Sequence, residues 1–168
     1  SRAELMIRFL TTISIFIVLT SCGFKPMYKL SESSFDFRSY SISIMNEHNT
    51  SREIKEEIRK SFPSSSEIKK EYIIEINTTE NLEPLITNTD GTIAKYRIEI
   101  IMNFKVKDKN ENTYIMEDVV RGLAQYSVET SEIESDDKKR SMIRTATSSA
   151  IQMMISKIQS DTSITNDN

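Results

Sequence analysis

Two side chains stand out for reactivity: Cys22 and His48, the single thiol and the single imidazole among 168 residues. One of each removes most ligand sets for zinc, haem or an iron–sulfur cluster, and a lone thiol rules out a disulfide within the chain. His48 lies among Asn46, Glu47 and Asn49 in what reads as a strand-to-helix loop, where a lone histidine is expected to face solvent,. The acidic run from Glu129 to Asp137 lacks the glycine and alternating spacing of a calcium loop,. Its carboxylates are read instead as favouring a helix N-terminus through the macrodipole. No Gly-x-Ser-x-Gly elbow, Walker loop, Gly-rich dinucleotide turn or His-Glu-x-x-His occurs,. The expectation is a non-enzyme with no catalytic residue, no metal site and no cofactor.

Cys22 takes its meaning from what precedes it. Arg2 and Arg8 stand ahead of an uncharged stretch from Phe9 to Leu19. That is the basic n-region and apolar h-region of an export signal, and the stretch is too short for a span needing about 20 residues. The Leu19-Thr20-Ser21-Cys22 that follows resembles the bacterial lipobox. The resemblance implies diacylglyceryl transfer to the Cys22 thiol, cleavage before it, and acylation of the new amino terminus. One acyl chain gives only reversible membrane binding, so three make a lasting anchor. Gly23 stands where an Asp would imply retention at the inner membrane, so the outer membrane is the expected destination. Residues 1–21 are thus a lipoprotein signal peptide, with Met6 as a candidate start and the five residues before it as an upstream extension.

The rest of the composition narrows the class. With 22 Lys+Arg against 25 Asp+Glu the net charge is −3; removing residues 1–21 takes two basic residues and one acidic residue and makes it −4. That balance leaves no footprint for nucleic acid, so none is expected as a partner. At 38% hydrophobic, with 3 Gly and 3 Pro, the chain is neither disordered throughout nor collagen-like,.

The spacing then sets out the elements. Residues 22–36, with Pro26 and several Ser, read as a lipid-anchored tether,. A domain is expected over 37–158, followed by a flexible tail, 159–168. Tyr40, Ile42 and Ile44 alternate with serines as a first strand, and Thr50-Ser51-Arg52-Glu53 fits a capping box opening a helix with Ile54, Ile58 and Phe62 on one face,. Tyr72, Ile74 and Ile76 begin a second strand, and 78–91 reads as a long connection or an irregular strand extension. Every even position from Ala94 to Val106 is apolar, the mark of a long strand with one buried face,. After the turn Asp108 to Asn112, Thr113 to Val128 forms a fourth strand in which Gly122 suggests a bulge or a close backbone approach. Ser131-Glu132-Ile133-Glu134 is a second capping box, opening a long amphipathic helix whose stripe runs from Ile143 to Ile158,. The fold class is therefore α+β, β-α-β-β-β-α, with a four-stranded, mostly antiparallel sheet and two helices packed on one face.

Cys22-Gly23-Phe24-Lys25-Pro26-Met27-Tyr28 resembles the start of the lipopolysaccharide-assembly lipoprotein family LptE. Tyr96-Arg97-Ile98, Tyr126-Ser127, the acidic segment, Arg140 and the helix from Thr145 to Ile158 look like further family positions. The family usually has more Ala and Arg in that helix, and Val128-Glu129-Thr130 stands where a Tyr-Ala pair often follows. The resemblance implies a lipoprotein of the outer membrane that plugs the LptD β-barrel and helps it assemble, in a complex that inserts lipopolysaccharide into the outer leaflet. On the odd face of the third strand, Lys95, Arg97, Lys105 and Lys107 are candidate lipopolysaccharide contacts, since Arg can fork to phosphate. The same cations could instead solvate an exposed strand and discourage edge pairing. A lipid-anchored scaffold of another envelope complex, with no lipopolysaccharide contact, is the alternative function.

Overall fold

The computed structural model describes residues 39–63 and 71–161, together with Arg2. The chain divides into two units, Ser1–Ser34 and Phe35–Asn168, and the elements below belong to the second. The lipobox, Cys22 and the tether lie outside the described residues.

Strand β1 (Tyr40–Ile44) leads through a 3-10 turn (Glu47–Asn49) into helix α1 (Arg52–Ser61). Strands β2 (Tyr72–Thr87), β3 (Ile93–Asp108) and β4 (Tyr114–Ser127) follow, and helix α2 (Glu132–Ser160) closes the chain. The sheet order is β1-β2-β3-β4. It is mixed: β1 runs parallel to β2 because α1 carries the chain back between them, whereas β2–β3 and β3–β4 are antiparallel and joined by tight connections,. α2 runs two residues beyond the expected domain end at 158.

The even-position pattern of β3 becomes the core. Ile98, Ile100, Met102, Phe104 and Val106 are buried against Ile54 and Ile58 of α1 and against Ile143, Ala146, Ala150, Ile151, Met154 and Ile158 of α2. The region 78–91 resolves in favour of the strand extension, since β2 continues to Thr87. Beyond Thr78 nearly every residue of it is exposed on both faces, so no alternation marked it.

Gly122 proves to be a close approach. A Cβ there would overlap the Ala146 carbonyl oxygen and lie 2.7 Å from its carbon and 3.0 Å from the Ala150 nitrogen. Only a residue without a side chain lets α2 lie directly under β4.

The two expected capping boxes fare differently. Ser131 is the N-cap of α2 and accepts from the Glu134 amide at 3.5 Å. At α1 the N-cap is Ser51, with no side-chain cap bond. Thr50 is drawn away into a buried polar knot, where its hydroxyl lies 2.9 Å from the Asn46 carbonyl and 2.8 Å from the Thr78 hydroxyl. Asn46 completes the knot by taking the Thr78 amide on Oδ1 at 3.1 Å and donating from Nδ2 to the Thr78 carbonyl at 2.7 Å.

Candidate functional site

Both helices pack on one face of the sheet, no described element covers the other, and pleating puts every odd residue of β3 on that second face,. Lys95, Arg97, Lys105 and Lys107 all lie there, but they do not form one site. From Arg97 to Lys105 the strand advances about 26 Å at ~3.3 Å per residue,. Lys95 and Arg97 therefore belong to one end of the sheet, and Lys105 and Lys107 to the other.

Register then decides how free these cations are. Arg97 stands opposite Glu83 of β2 and pairs with it at 3.5 Å. Lys105 stands opposite Glu117 of β4 and pairs at 3.2 Å. Between them, Arg121 binds Glu99 at 2.9 Å while Asn81 donates to the same carboxylate at 3.2 Å. These two bonds, the Arg121 one first, hold the Glu99 carboxyl below its usual range,. At the far end the Tyr114 hydroxyl donates across β3 to Glu75 at 3.0 Å, which pushes the Tyr114 hydroxyl pKa up. The ammonium groups of Lys105 and Lys107 stand 5.6 and 5.5 Å from the Tyr114 ring centroid, within cation–π range,. Lys95 and Lys107 meet no carboxylate among the described residues.

The sequence offered the cations and missed the acids that answer them. Glu75, Glu83 and Glu117 are visible as alternating charges, but which one faces which cation depends on cross-strand register. A register shift between Val106 and Lys107 alters that pairing at the Tyr114 end. The face is thus a network of neutralised pairs with two single cations near its ends and Ile101, Val119 and Leu123 at its centre.

The rest of the surface adds little chemistry. His48 is exposed in the 3-10 turn. Of the acids from Glu129 to Asp137, Glu129 pairs with Lys138 and Asp136 with Arg140 at 2.9 Å. Among the described residues no group of three or more His, Cys, Asp or Glu is placed to hold a metal ion. A polar groove of about 460 Å³ between the helices is lined by Glu57, Ser141, Thr145, Ser148 and Gln152. No described helix is long and apolar enough to cross a membrane.

No protein-family model matches the chain, and no curated protein matches it in sequence. Solved structures match it in fold. A candidate lipoprotein from Caulobacter crescentus aligns with a TM-score of 0.58 at 8% identity, covering 73% of this chain and 89% of that one. An uncharacterized lipoprotein B from Nitrosomonas europaea aligns at 0.54 and 12%, covering 76% and 85%. A minor lipoprotein from Acinetobacter baumannii aligns at 0.50 and 11%, covering 71% and 89%. At such identities the likeness is one of fold: the domain has the architecture of known bacterial lipoproteins.

Proposed function

We propose that the chain is an outer-membrane lipoprotein of the lipopolysaccharide translocon, anchored through Cys22 and seated as plug and assembly factor in the LptD barrel. The observation that carries this is the sheet face opposite the helices, where Arg97, Lys105 and Arg121 are each matched by a carboxylate on a neighbouring strand. Such a face suits a wet, confined lumen, because its charges are satisfied within the domain and need no bulk water or counter-ions. The fold shared with bacterial lipoproteins supports the same reading, as does the lipobox ahead of it.

Within that role, Lys95 and Lys107 are the cations left to meet lipid A phosphates, while Arg97 and Lys105 would first have to leave Glu83 and Glu117. That internal pairing also favours the second reading, a lipid-anchored scaffold without lipopolysaccharide contact. The test is a pull-down of the full chain, anchored at Cys22, from detergent-solubilised outer membranes, with mass spectrometry of what stays bound. One stoichiometric large barrel is the expected result. Recovery of soluble periplasmic proteins alone, or of nothing, overturns the plug and leaves the scaffold.

A further inference from the structure

Along β4 the sheet has an edge that is only partly closed. The Val128 amide donates to the Ala94 carbonyl at 3.0 Å, so even residues of β4 face β3 and odd residues turn their N–H and C=O outward,. At two places these outward groups are already taken. The Val119 amide donates to the Asp118 carboxylate at 2.7 Å. Lys157, held on that carboxylate at 2.6 Å, also reaches the Val119 carbonyl at 3.4 Å. Beyond the strand's other end, the Glu129 amide donates to Ser135 Oγ at 2.8 Å, and that hydroxyl lies 3.2 Å from the Glu129 carbonyl. Between these stops, the outward backbone groups of Arg121, Leu123, Gln125 and Ser127 meet no partner among the described residues.

Most of the strand along this gap is apolar or neutral. From Gly122 to Val128 the strand carries no charge, and Arg121 is already bound to Glu99. Leu123 is 59% exposed on the sheet face, and Met153, one helical turn before Lys157 on the flank of α2 that reaches this edge, is 48% exposed,.

We propose that this gap is a docking site for an extended segment of another polypeptide, about seven residues long and uncharged where it pairs, which adds to β4 as a fifth strand. A second copy of the chain does not fit. Pairing β4 with β4 would set the strands ~4.8 Å apart, whereas α2 lies directly under β4 and helix axes need about 8 Å,. The two α2 helices would collide, so the occupant is a segment with no helix beneath it. Such docking needs neither lipopolysaccharide nor a barrel.

The probe is a synthetic peptide of residues 120–128 carrying Arg121→Gln, VQGLAQYSV, which is uncharged where it pairs and lacks α2. Its outward groups match those of the gap when the two strands run antiparallel, 121 opposite 127 and 123 opposite 125. Added to the full chain in detergent, it is expected to slow amide exchange at Arg121, Leu123, Gln125 and Ser127 by about tenfold or more. Val119 and Glu129 are expected to stay unchanged. Gln125→Pro deletes an outward N–H without breaking a bond to β3 and is expected to weaken binding by about tenfold or more. Leu123→Lys keeps every backbone donor, places a charge on the edge, and is expected to do the same, which decides the matter if the proline variant misfolds. Absence of protection at these four amides at about 1 mM peptide, a concentration that detects millimolar affinity, overturns the proposal. So does protection confined to β2, or unchanged affinity in a folded variant.

Discussion

The two edges of the sheet solve the same problem by different means. On the β1 side the edge passes to β2 once β1 ends at Ile44, and Asn46 imitates one more residue of β1 by bonding both the amide and the carbonyl of Thr78. Past it, even residues of β2 face outward. Pro84, which has no N–H to leave exposed, falls at such a position, with register shifts flanking Ile86 just after it,. On the β4 side there is neither proline nor shift from Val106 to Lys95 of the partner strand, only side-chain bonds at Val119 and Glu129. At Pro84 the first edge is interrupted by its covalent structure, since no N–H is there to pair,. The second is fenced by reversible bonds around an uncharged gap, which is the arrangement expected of an edge kept for use.

The largest effect is expected at Gly122, which sets how the second edge is built. Gly122→Ala forces a methyl group into the Ala146 carbonyl, and neither β4 nor α2 can yield cheaply there. A loss of about 3 kcal/mol is expected in urea unfolding, at the upper end for overpacking. A loss below about 1 kcal/mol would mean that α2 shifts easily off β4, and the steric exclusion of a second copy would go with it.

Next comes the first edge. Asn46→Ala removes both bonds to Thr78 and one neighbour of the Thr50 hydroxyl, leaving polar groups of a partly buried knot unpaired. A cost of about 2 kcal/mol is expected, with faster amide exchange at Thr78 and no change at Arg121 through Ser127. If exchange rose equally along β4, the two edges would be one cooperative unit and the contrast between them would fail.

Legibility in the sequence follows the same contrast. β3 and α2 could be read residue by residue because each buries one face, and burial imposes a period of 2 or 3.6. The distal half of β2 could not, since Glu80 to Pro84 are exposed on both faces and no period is imposed. The capping box at Thr50 misled for a related reason: the local motif was sound, but Thr78, distant in sequence, offered the hydroxyl a buried partner. For the site, the cations of β3 were legible and their partners were not. Nothing in the sequence near Arg97 points to Glu83, nor near Asp118 to Lys157, until register and the docking of α2 bring them together.

The smallest effect is expected at the fence itself, and it depends on pH. The Asp118 carboxyl is held below its usual range, first by the hydrogen bond from Lys157 and then by the Val119 amide. With the folded value below the unfolded one, near 3.9, the stabilisation is present above that unfolded value and is lost as pH falls through the folded one. Both side chains are about four-tenths exposed, so the contribution to global stability stays under about 1 kcal/mol,. Glu99, also lowered, acts with the same sign, so the reading must be local. As pH falls below the ordinary carboxylate value of about 3.9 and through the lower folded one, Asp118 takes up a proton, Lys157 is released, and the Val119 amide is left with a weaker, neutral acceptor,. Val119 exchange, corrected for the intrinsic pH dependence, should then rise toward that of Leu123. In Asp118→Asn the Lys157 bond is weakened at every pH, and the corrected Val119 rate should be flat across that range. A flat profile in the unsubstituted protein as well would show that the carboxylate does not guard this position.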